Sequence, residues 1–315
     1  MSITKICVQK FLPHHQAMAD KINQSSGEEH SKLSAAFYTK KLWPANTEIF
    51  ITFMNDDPQI TRTPLPRDGK KIDPLQQYFS DNPQIKITDA IKQIVKERIQ
   101  PLTNLKLTFA DKSTVTSKNL VKIDFNPDSG AWSLVGTDCI GHEGATMNLG
   151  WFDVSTVMHE FGHVLGMVHE HQNPKGQSIQ WNPEAVYSWS KLTQGWDKAT
   201  TDTNILNKYA NDQINGSDFD PMSIMLYFFP ASLTLNNRGT EQNLRISGED
   251  ALWISKTYPN GPENPEQYYK QVYGISLQKA LQESKSSNYK NKFILLFIVL
   301  FVLLLCVLLY MKYHR

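Results

Sequence analysis

Four short segments alternate apolar or β-branched residues with polar ones, which is the period of a β-strand. The clearest is TEIFITFM at Thr47–Met54. Further along the chain lie LKLTFA at 105–110, LVKIDF at 120–125 and GATMNLG at 144–150, the last bounded by glycines. The pattern predicts four strands in the first half of the chain.

One segment between these strands repeats apolar residues at the helical spacing. In ITDAIKQIVKERI, Ile87–Ile99, the aliphatic side chains fall on a single stripe of a helix. Thr88 or Asp89 is predicted to cap the start of this helix, and Pro101 lies just past its end.

Two further helices are predicted in the second half. Asp153 is a good N-cap for a helix that runs from Val154 to Leu165. The segment GEDALWISKTY at 248–258 is amphipathic and is followed by Pro259, so it predicts the last helix of the folded region.

A long apolar run lies near the end of the sequence. Phe293–Tyr310 has 18 residues without a charge or a proline, which as a helix would be roughly 27 Å long, close to the hydrocarbon thickness of a thin bilayer. The amino-terminal segment lacks the unbroken apolar core of a secretion signal, because Lys5, Gln9 and Lys10 interrupt it. We therefore expect a transmembrane helix that acts as a tail anchor, followed by a short tail at 311–315, with the preceding residues in the cytosol.

Composition narrows the class of protein. The 315 residues carry a formal net charge of +1, and no basic cluster of the kind that binds nucleic acid is present. Only Cys7, Cys139 and Cys306 occur, so a disulfide framework is excluded and at most Cys7 can pair with Cys139. This usage suits a reducing compartment.

Histidines are concentrated in STVMHEFGHVLGMVHEHQNP, residues 155–174, which holds four of the nine in the chain. His159 and His163 are four residues apart, so on a helix both project from one face and can bind a single zinc ion. Glu160 is offset around the helix and can face a metal-bound water, as in the H-E-x-x-H arrangement. The alternative is that both histidines are ordinary helix residues.

Gly166 and His169, which follow this motif, make it more specific. Gly166 allows the helix to stop and the chain to turn, and His169 then arrives as a third zinc ligand. Three protein ligands leave a fourth position for water, which is typical of a catalytic zinc site. We expect one zinc ion per chain, a metal-activated water, and Glu160 as the general base that passes the proton to the leaving amine.

A second motif lies downstream, where Ser223–Tyr227 reads SIMLY. With HEFGHVLGMVHE, this sequence resembles the astacin family of the metzincin clan. The resemblance implies an α+β, zincin-like catalytic domain with a twisted mixed sheet, an active-site helix above the cleft and a mostly irregular lower subdomain. It also implies that Met225 forms a hydrophobic floor under the zinc, and that Tyr227 is a further ligand that swings away and stabilises the oxyanion. The alternative for Tyr227 is a buried, hydrogen-bonded tyrosine.

The resemblance covers about residues 43–259. Residues 1–42 are then a lead-in or a prosegment, and 260–292 are a polar linker to the membrane. ATMNLG falls where the family has an edge strand against which a substrate lies extended. In the family, the glutamate that matches Glu170 pairs with the amino terminus that cleavage of a propeptide exposes. The cysteines of the secreted members' disulfides are missing, which indicates an intracellular or viral branch.

The favoured function is a zinc-dependent endopeptidase that acts on peptide or protein substrates and is held at a membrane by its tail. Two alternatives are a catalytically silent, zinc-binding interaction module tethered to the membrane, and a zinc hydrolase that acts on non-peptide bonds. Outside the motif's ligands, His142 and His171 are expected in loops, where His171 can orient a ligand. Cys7 is either an inert thiol or a thiolate that blocks the zinc.

Overall fold

Ten strands occur in the part of the chain that the structure describes. The computed structural model describes residues 7–10, 36–56, 58–66, 71–174, 179–211, 214–215 and 218–285. The strands are β1 (Cys7–Lys10), β2 (Phe37–Tyr38), β3 (Glu48–Phe53), β4 (Thr61–Arg62), β5 (Lys106–Phe109), β6 (Leu120–Asp124), β7 (Ala131–Leu134), β8 (Met147–Leu149), β9 (Trp151–Phe152) and β10 (Ile214–Asn215). The four predicted strands are confirmed as β3, β5, β6 and β8.

Six of the strands form one mixed sheet in the order β1–β7–β8–β6–β3–β5. Strands β7 and β8 pair antiparallel, and the other four pairs are parallel. Two small sheets accompany it, with β10 antiparallel to β2 and β4 parallel to β9. The mixed sheet that the resemblance implies is therefore confirmed, and the structure adds that most of its pairs are parallel.

The expectation that ATMNLG provides an edge strand is wrong. Strand β8 lies inside the sheet, between β6 and β7. The segment Ala131–Leu134, which is buried along its whole length, adds a strand beyond β8, and Cys7–Lys10 pairs with the far side of that strand in parallel. A pairing between segments so distant in sequence cannot be read from the local alternation of side chains.

The helices are α1 (Pro74–Asp81), α2 (Ile87–Ile94), α3 (Val154–Val164), α4 (Pro183–Gln194), α5 (Lys198–Thr201), α6 (Gly248–Thr257) and α7 (Pro265–Tyr273). Two π-helical turns extend α2 and α5, at Val95–Ile99 and Asp202–Leu206. Short 3₁₀ turns lie at Thr39–Lys41, Gln100–Leu102, Pro127–Ser129, Gly136–Cys139, Glu170–Gln172 and Ala231–Leu233.

The predicted helix over Ile87–Ile99 is confirmed, but its predicted cap is wrong. Lys86 occupies the N-cap without a side-chain hydrogen bond, and both candidate residues lie inside the helix. The Thr88 hydroxyl donates to the Asp56 carbonyl at 3.4 Å, and Asp89 pairs with Lys92 at 3.1 Å on the exposed face. The buried isoleucine stripe therefore fixes where this helix begins, and capping does not.

The predicted polar linker at 260–292 is wrong for the part that the structure describes. Helix α7 lies in this segment, and its Tyr268 and Tyr269 are buried in the main core. The Tyr269 hydroxyl donates to the Ile246 carbonyl at 2.6 Å, and the Tyr273 hydroxyl donates to buried Asp73 at 3.0 Å. Residues 277–285 are helical as well. Three tyrosines on one short helix thus attach this segment, which is polar by composition, to the folded domain.

The boundary at residue 42 also falls inside the folded body. Cys7–Lys10 joins the main sheet, and Phe37 is fully buried in the main core. The predicted membrane span at 293–310 and the tail at 311–315 lie outside the described residues. Over the residues that the structure does describe, none of the helices combines the length and the apolar character that crossing a bilayer requires.

Two packed regions flank the segment after α3. The main core joins α2, α3, α6 and α7 to the sheet, while a smaller cluster gathers Val186, Ile205, Tyr227, Phe229 and Leu233. Residues 179–206 of the lower region are largely helical, with Asn182 capping α4, so that region is less irregular than the sequence suggests. The histidine motif lies where the two clusters meet.

Candidate metal centre

Helix α3 carries the first two histidines and is fixed at both ends. As predicted, Asp153 is its N-cap, and Oδ1 accepts from the Thr156 backbone N–H at 2.8 Å. At the other end, the Trp43 indole donates to the Val164 carbonyl at 2.8 Å, and the Tyr258 hydroxyl donates to the Leu165 carbonyl at 2.7 Å. Carbonyls left unpaired at a helix end are thereby satisfied inside the core.

Gly166 turns the chain immediately after α3, as the sequence predicts. Its φ of +90° lies in the region that favours glycine, and an added Cβ would come within 3.0 Å of the Leu42 side chain. The next residues therefore leave the helix axis and bring His169 back beside it.

The three expected ligands converge. His159, His163 and His169 are all buried, and a candidate ligand atom from each lies within 4.8 Å of the other two. The ring centroids are 4.9 Å apart for His159 and His163, 4.8 Å for His163 and His169, and 5.4 Å for His159 and His169.

Backbone carbonyls fix the orientation of two of these rings. The Nδ1 atom of His159 lies 2.8 Å from the Ile224 carbonyl oxygen, and that of His163 lies 2.8 Å from the Met167 carbonyl oxygen. A carbonyl oxygen only accepts, so each Nδ1 carries the proton and each Nε2 presents a lone pair. This is the tautomer that binds a metal through Nε2.

The Nε2 atoms fit a zinc ion. Those of His163 and His169 are 3.1 Å apart, whereas tetrahedral ligands at about 2.0–2.1 Å from zinc are about 3.3 Å from one another. The Nε2 atom of His159 is buried and has no hydrogen-bond partner among the described residues. A shared cation satisfies all three lone pairs.

The electrostatic environment keeps these imidazoles neutral. Burial lowers the pKa of His159 to about 4, against a smaller opposing effect of its bond to Ile224. Burial also lowers the pKa of His163 and His169 well below the usual range, and the neighbouring imidazoles add to the effect. Because metal binding requires neutral histidine, the centre is poised for a cation at neutral pH.

Glu160 follows the first ligand on α3 and is fully buried. Consecutive helical residues are offset by about 100°, so its carboxylate leaves the helix beside the face that carries His159 and His163. A buried acid that adjoins a metal ligand without belonging to the triad suits a proton-transfer role.

The SIMLY segment lies directly beneath the histidines. A Cβ added to Gly162 would meet the Met225 sulfur at 2.5 Å, so the thioether packs against α3 between the two helical ligands. The ring of Tyr227 is centred 4.1 Å from the ring of His169 and 5.5 Å from that of His159. Both side chains therefore lie against the histidine triad.

The two other histidines among the described residues differ in their surroundings. His171 is buried, stacks on His169 at 5.3 Å, and donates from Nε2 to the Asn204 carbonyl at 3.0 Å. Burial lowers its pKa to about 3. His142 is only half-buried and lies in the turn after the 3₁₀ helix Gly136–Cys139, where its carbonyl accepts a hydrogen bond from Lys122.

Sequence reasoning missed a group of buried polar residues behind the SIMLY turn. Asp250 in α6 accepts hydrogen bonds from Ser223 Oγ at 2.7 Å and from the Ile224 backbone N–H at 2.7 Å. Ser247 donates to Asp220 at 2.6 Å. The signal that was present is the Ser-x-x-Asp spacing of a capping box at 247–250, which predicts a helix start but not a contact with the SIMLY turn.

This arrangement is that of a metallopeptidase centre, and comparison with known proteins assigns the family. Residues 75–238 match the model of the peptidase family described as Astacin, which is about half of the chain. The chain therefore belongs to the astacin family and is a zinc metalloendopeptidase.

Solved structures include one that supports this assignment. The chain is similar to the protein described as "Structure of myroilysin", with 28% sequence identity and a TM-score of 0.55 over 71% of this chain and 98% of that one. A crystal structure of myroilysin matches at 25% identity and a TM-score of 0.43, over 82% of this chain and 100% of that one. High choriolytic enzyme 1, a hatching enzyme zinc-protease from Oryzias latipes (Medaka fish), matches at 14% identity and a TM-score of 0.42, over 70% of this chain and 95% of that one. A search of curated proteins finds no match.

Because these histidines are buried, we expect acid to destabilise the metal-free protein. Each folded-state pKa lies below the unfolded value of about 6.5, so the unfolded chain takes up these protons first. The contribution of the neutral histidines to the free energy of unfolding is therefore fully present above about pH 6.5. It is lost as the pH falls towards about 4, by up to about 1.4 kcal/mol per pH unit for each histidine. Urea unfolding of the metal-free protein between pH 7.5 and 5 measures this slope.

The variant His171→Gln should make that slope shallower by the contribution of one proton. An unchanged slope in His171→Gln would show that His171 takes up its proton over the same pH range in the folded and the unfolded protein.

Proposed function

We propose that His159, His163 and His169 hold one zinc ion and that the enzyme cleaves internal peptide bonds with Glu160 as the general base. The convergence of three buried imidazoles on one point carries this proposal. When bound, zinc supplies a Lewis acid that activates water and polarises the scissile carbonyl.

The protein's own contribution begins with fixed ligand orientation. The carbonyls of Ile224 and Met167 hold the first two rings with Nε2 pointing into the centre, and the Gly166 turn presents the third. Pre-set ligands of this kind lose little conformational freedom when the ion binds.

Glu160 then handles the proton. We assign its carboxylate to accept a proton from the attacking water and to deliver it to the nitrogen of the leaving amine. Its burial supports this role, because a buried carboxylate transfers protons in surroundings of low dielectric constant, where bulk water competes little.

Tyr227 is proposed to stabilise the developing oxyanion. Its ring lies 4.1 Å from that of His169, so its phenol belongs to the same centre and can ligate weakly or donate a hydrogen bond. In this proposal, the Tyr227 phenol would help to hold the zinc ion in the resting enzyme and would donate a hydrogen bond to the oxyanion during turnover.

The substrate is proposed to be a peptide or protein, and the enzyme is proposed to be attached to a membrane. The apolar run at Phe293–Tyr310 supports a single-pass tail anchor with the catalytic domain in the cytosol or on a virion or organelle membrane. The small number of cysteines supports an intracellular or viral branch of the family.

Replacing Glu160 with Gln should lower kcat/KM by about 10²- to 10⁴-fold, because the side chain keeps its shape but no longer accepts a proton. The zinc content should stay at one ion per chain, as measured by atomic absorption on the purified protein. Glu143→Gln, which alters an exposed carboxylate, is the matched control and should retain the parent rate. Peptide cleavage by Glu160→Gln at the parent rate would exclude this base and favour another mechanism.

Tyr227→Phe should lower kcat by about 10²-fold with a smaller change in KM, since the hydroxyl acts mainly on the transition state. Steady-state kinetics on a fluorogenic peptide separates the two constants. Tyr78→Phe, at an exposed tyrosine of α1, serves as control. A kcat within twofold of the parent would assign Tyr227 to packing alone.

Deleting residues 290–315 should release the enzyme from membranes with its activity intact, because all described residues are retained. Deleting 260–315, in contrast, should abolish stable folding, since it removes the buried tyrosines of α7. Sedimentation with liposomes and thermal unfolding distinguish the two variants. Continued sedimentation of the shorter deletion would contradict the tail anchor.

A further inference from the structure

A continuous series of hydrogen bonds joins helix α6 to the first zinc ligand. Ser223 Oγ donates to Asp250 Oδ1 at 2.7 Å and accepts from the Met225 backbone N–H at 3.0 Å. That N–H belongs to the same peptide group as the Ile224 carbonyl, which accepts from His159 Nδ1 at 2.8 Å.

The donor and the acceptor of each hydrogen bond in this series are determined. The serine hydroxyl has a single proton, which it gives to the carboxylate, and its oxygen is then free to accept from the peptide N–H. Accepting that N–H polarises the peptide and makes its carbonyl a stronger acceptor for the imidazole. Electron density is thereby shifted step by step from Asp250 towards His159.

The whole series is sealed from water. Asp250 and Ser223 are fully buried, and Ile224, Met225 and His159 are at most 5% exposed. In such surroundings a carboxylate acts over a longer distance than it does at the surface. Asp250 also accepts from the Ile224 N–H, so it holds the turn by two bonds.

We propose that Asp250 and Ser223 are positioning residues of the metal centre, which orient His159 and strengthen its basicity through the Ile224–Met225 peptide group. This inference rests on the proposed ligand set. Metal-bound histidines commonly donate to a carboxylate directly, and such partners change metal affinity by about 10- to 100-fold. In this protein a hydroxyl and a peptide group separate the carboxylate from the ring.

The same turn reaches the third ligand. The Met225 carbonyl accepts from the backbone N–H of Glu170 at 3.0 Å, and Glu170 directly follows His169. By fixing the turn, Asp250 therefore holds the backbone that supports two of the three ligands.

The test uses the full-length protein and Ser223→Ala, which removes only the linking oxygen. We expect zinc affinity, measured by competition with a chelator, to fall about tenfold. In the zinc-loaded protein, the Nδ1 proton resonance of His159 should move upfield, since its acceptor is less polarised. The His163 proton should not move, because it donates to Met167 over the same 2.8 Å outside the series.

Asp250→Asn should reproduce both effects, because Ser223 and Ile224 donate to different oxygens of Asp250 and the asparagine amide keeps only one acceptor oxygen. The matched control is Ser247→Ala, which removes a hydroxyl that donates to Asp220 and accepts from the Asp250 backbone N–H at the start of α6. This hydroxyl lies outside the series that runs from the Asp250 carboxylate through Ser223 to His159. It should lower Tm and leave zinc affinity and both resonances as in the parent.

Zinc affinity within twofold of the parent and an unmoved His159 resonance in Ser223→Ala would overturn the proposal. An equal loss of affinity in Ser247→Ala would also overturn it, by showing a general loosening of α6. A parent protein that binds no zinc would instead refute the ligand set itself, and with it the role of Asp250.

Discussion

Three neutral imidazoles held together in a buried space are the constraint on which the rest of this structure depends. Burial would destabilise these rings as cations, and the carbonyls of Ile224 and Met167 fix the tautomer that a metal needs. The helix cap at Asp153, the turn at Gly166 and the SIMLY segment all serve to bring these rings to one point. Burial and the neighbouring imidazoles keep these rings neutral, so they stay unprotonated in the folded protein at a pH that already charges an exposed histidine.

The parts of the site that were predicted from sequence are those that depend on local spacing. His159 and His163 share a helix face because they are four residues apart, and Gly166 marks the end of that helix because only glycine suits its φ. The position of Tyr227 was suggested by a motif rather than by physics. Its approach to His169 is a contact between segments 58 residues apart, as the numbering shows.

The missed features are contacts between distant segments. Asp250 meets Ser223 because α6 packs under the turn, and no local pattern records that packing. Strand β1 pairs with β7 across more than 120 residues, and β7 pairs with β8, so the edge of the sheet was placed two strands too early. Residues 260–292 are polar by composition, so the burial of the Tyr268 and Tyr269 rings was not expected.

The contact between Gly162 and Met225 has a consequence for how this sequence can vary. The space above the glycine is filled by the thioether, so positions 162 and 225 share a single volume although they lie in different segments. A larger residue at 162 requires a shorter one at 225, because a close-packed interior has no room for both. A change at either position therefore acts on the other: a side chain at 162 displaces the thioether, and a shorter residue at 225 leaves a void against α3.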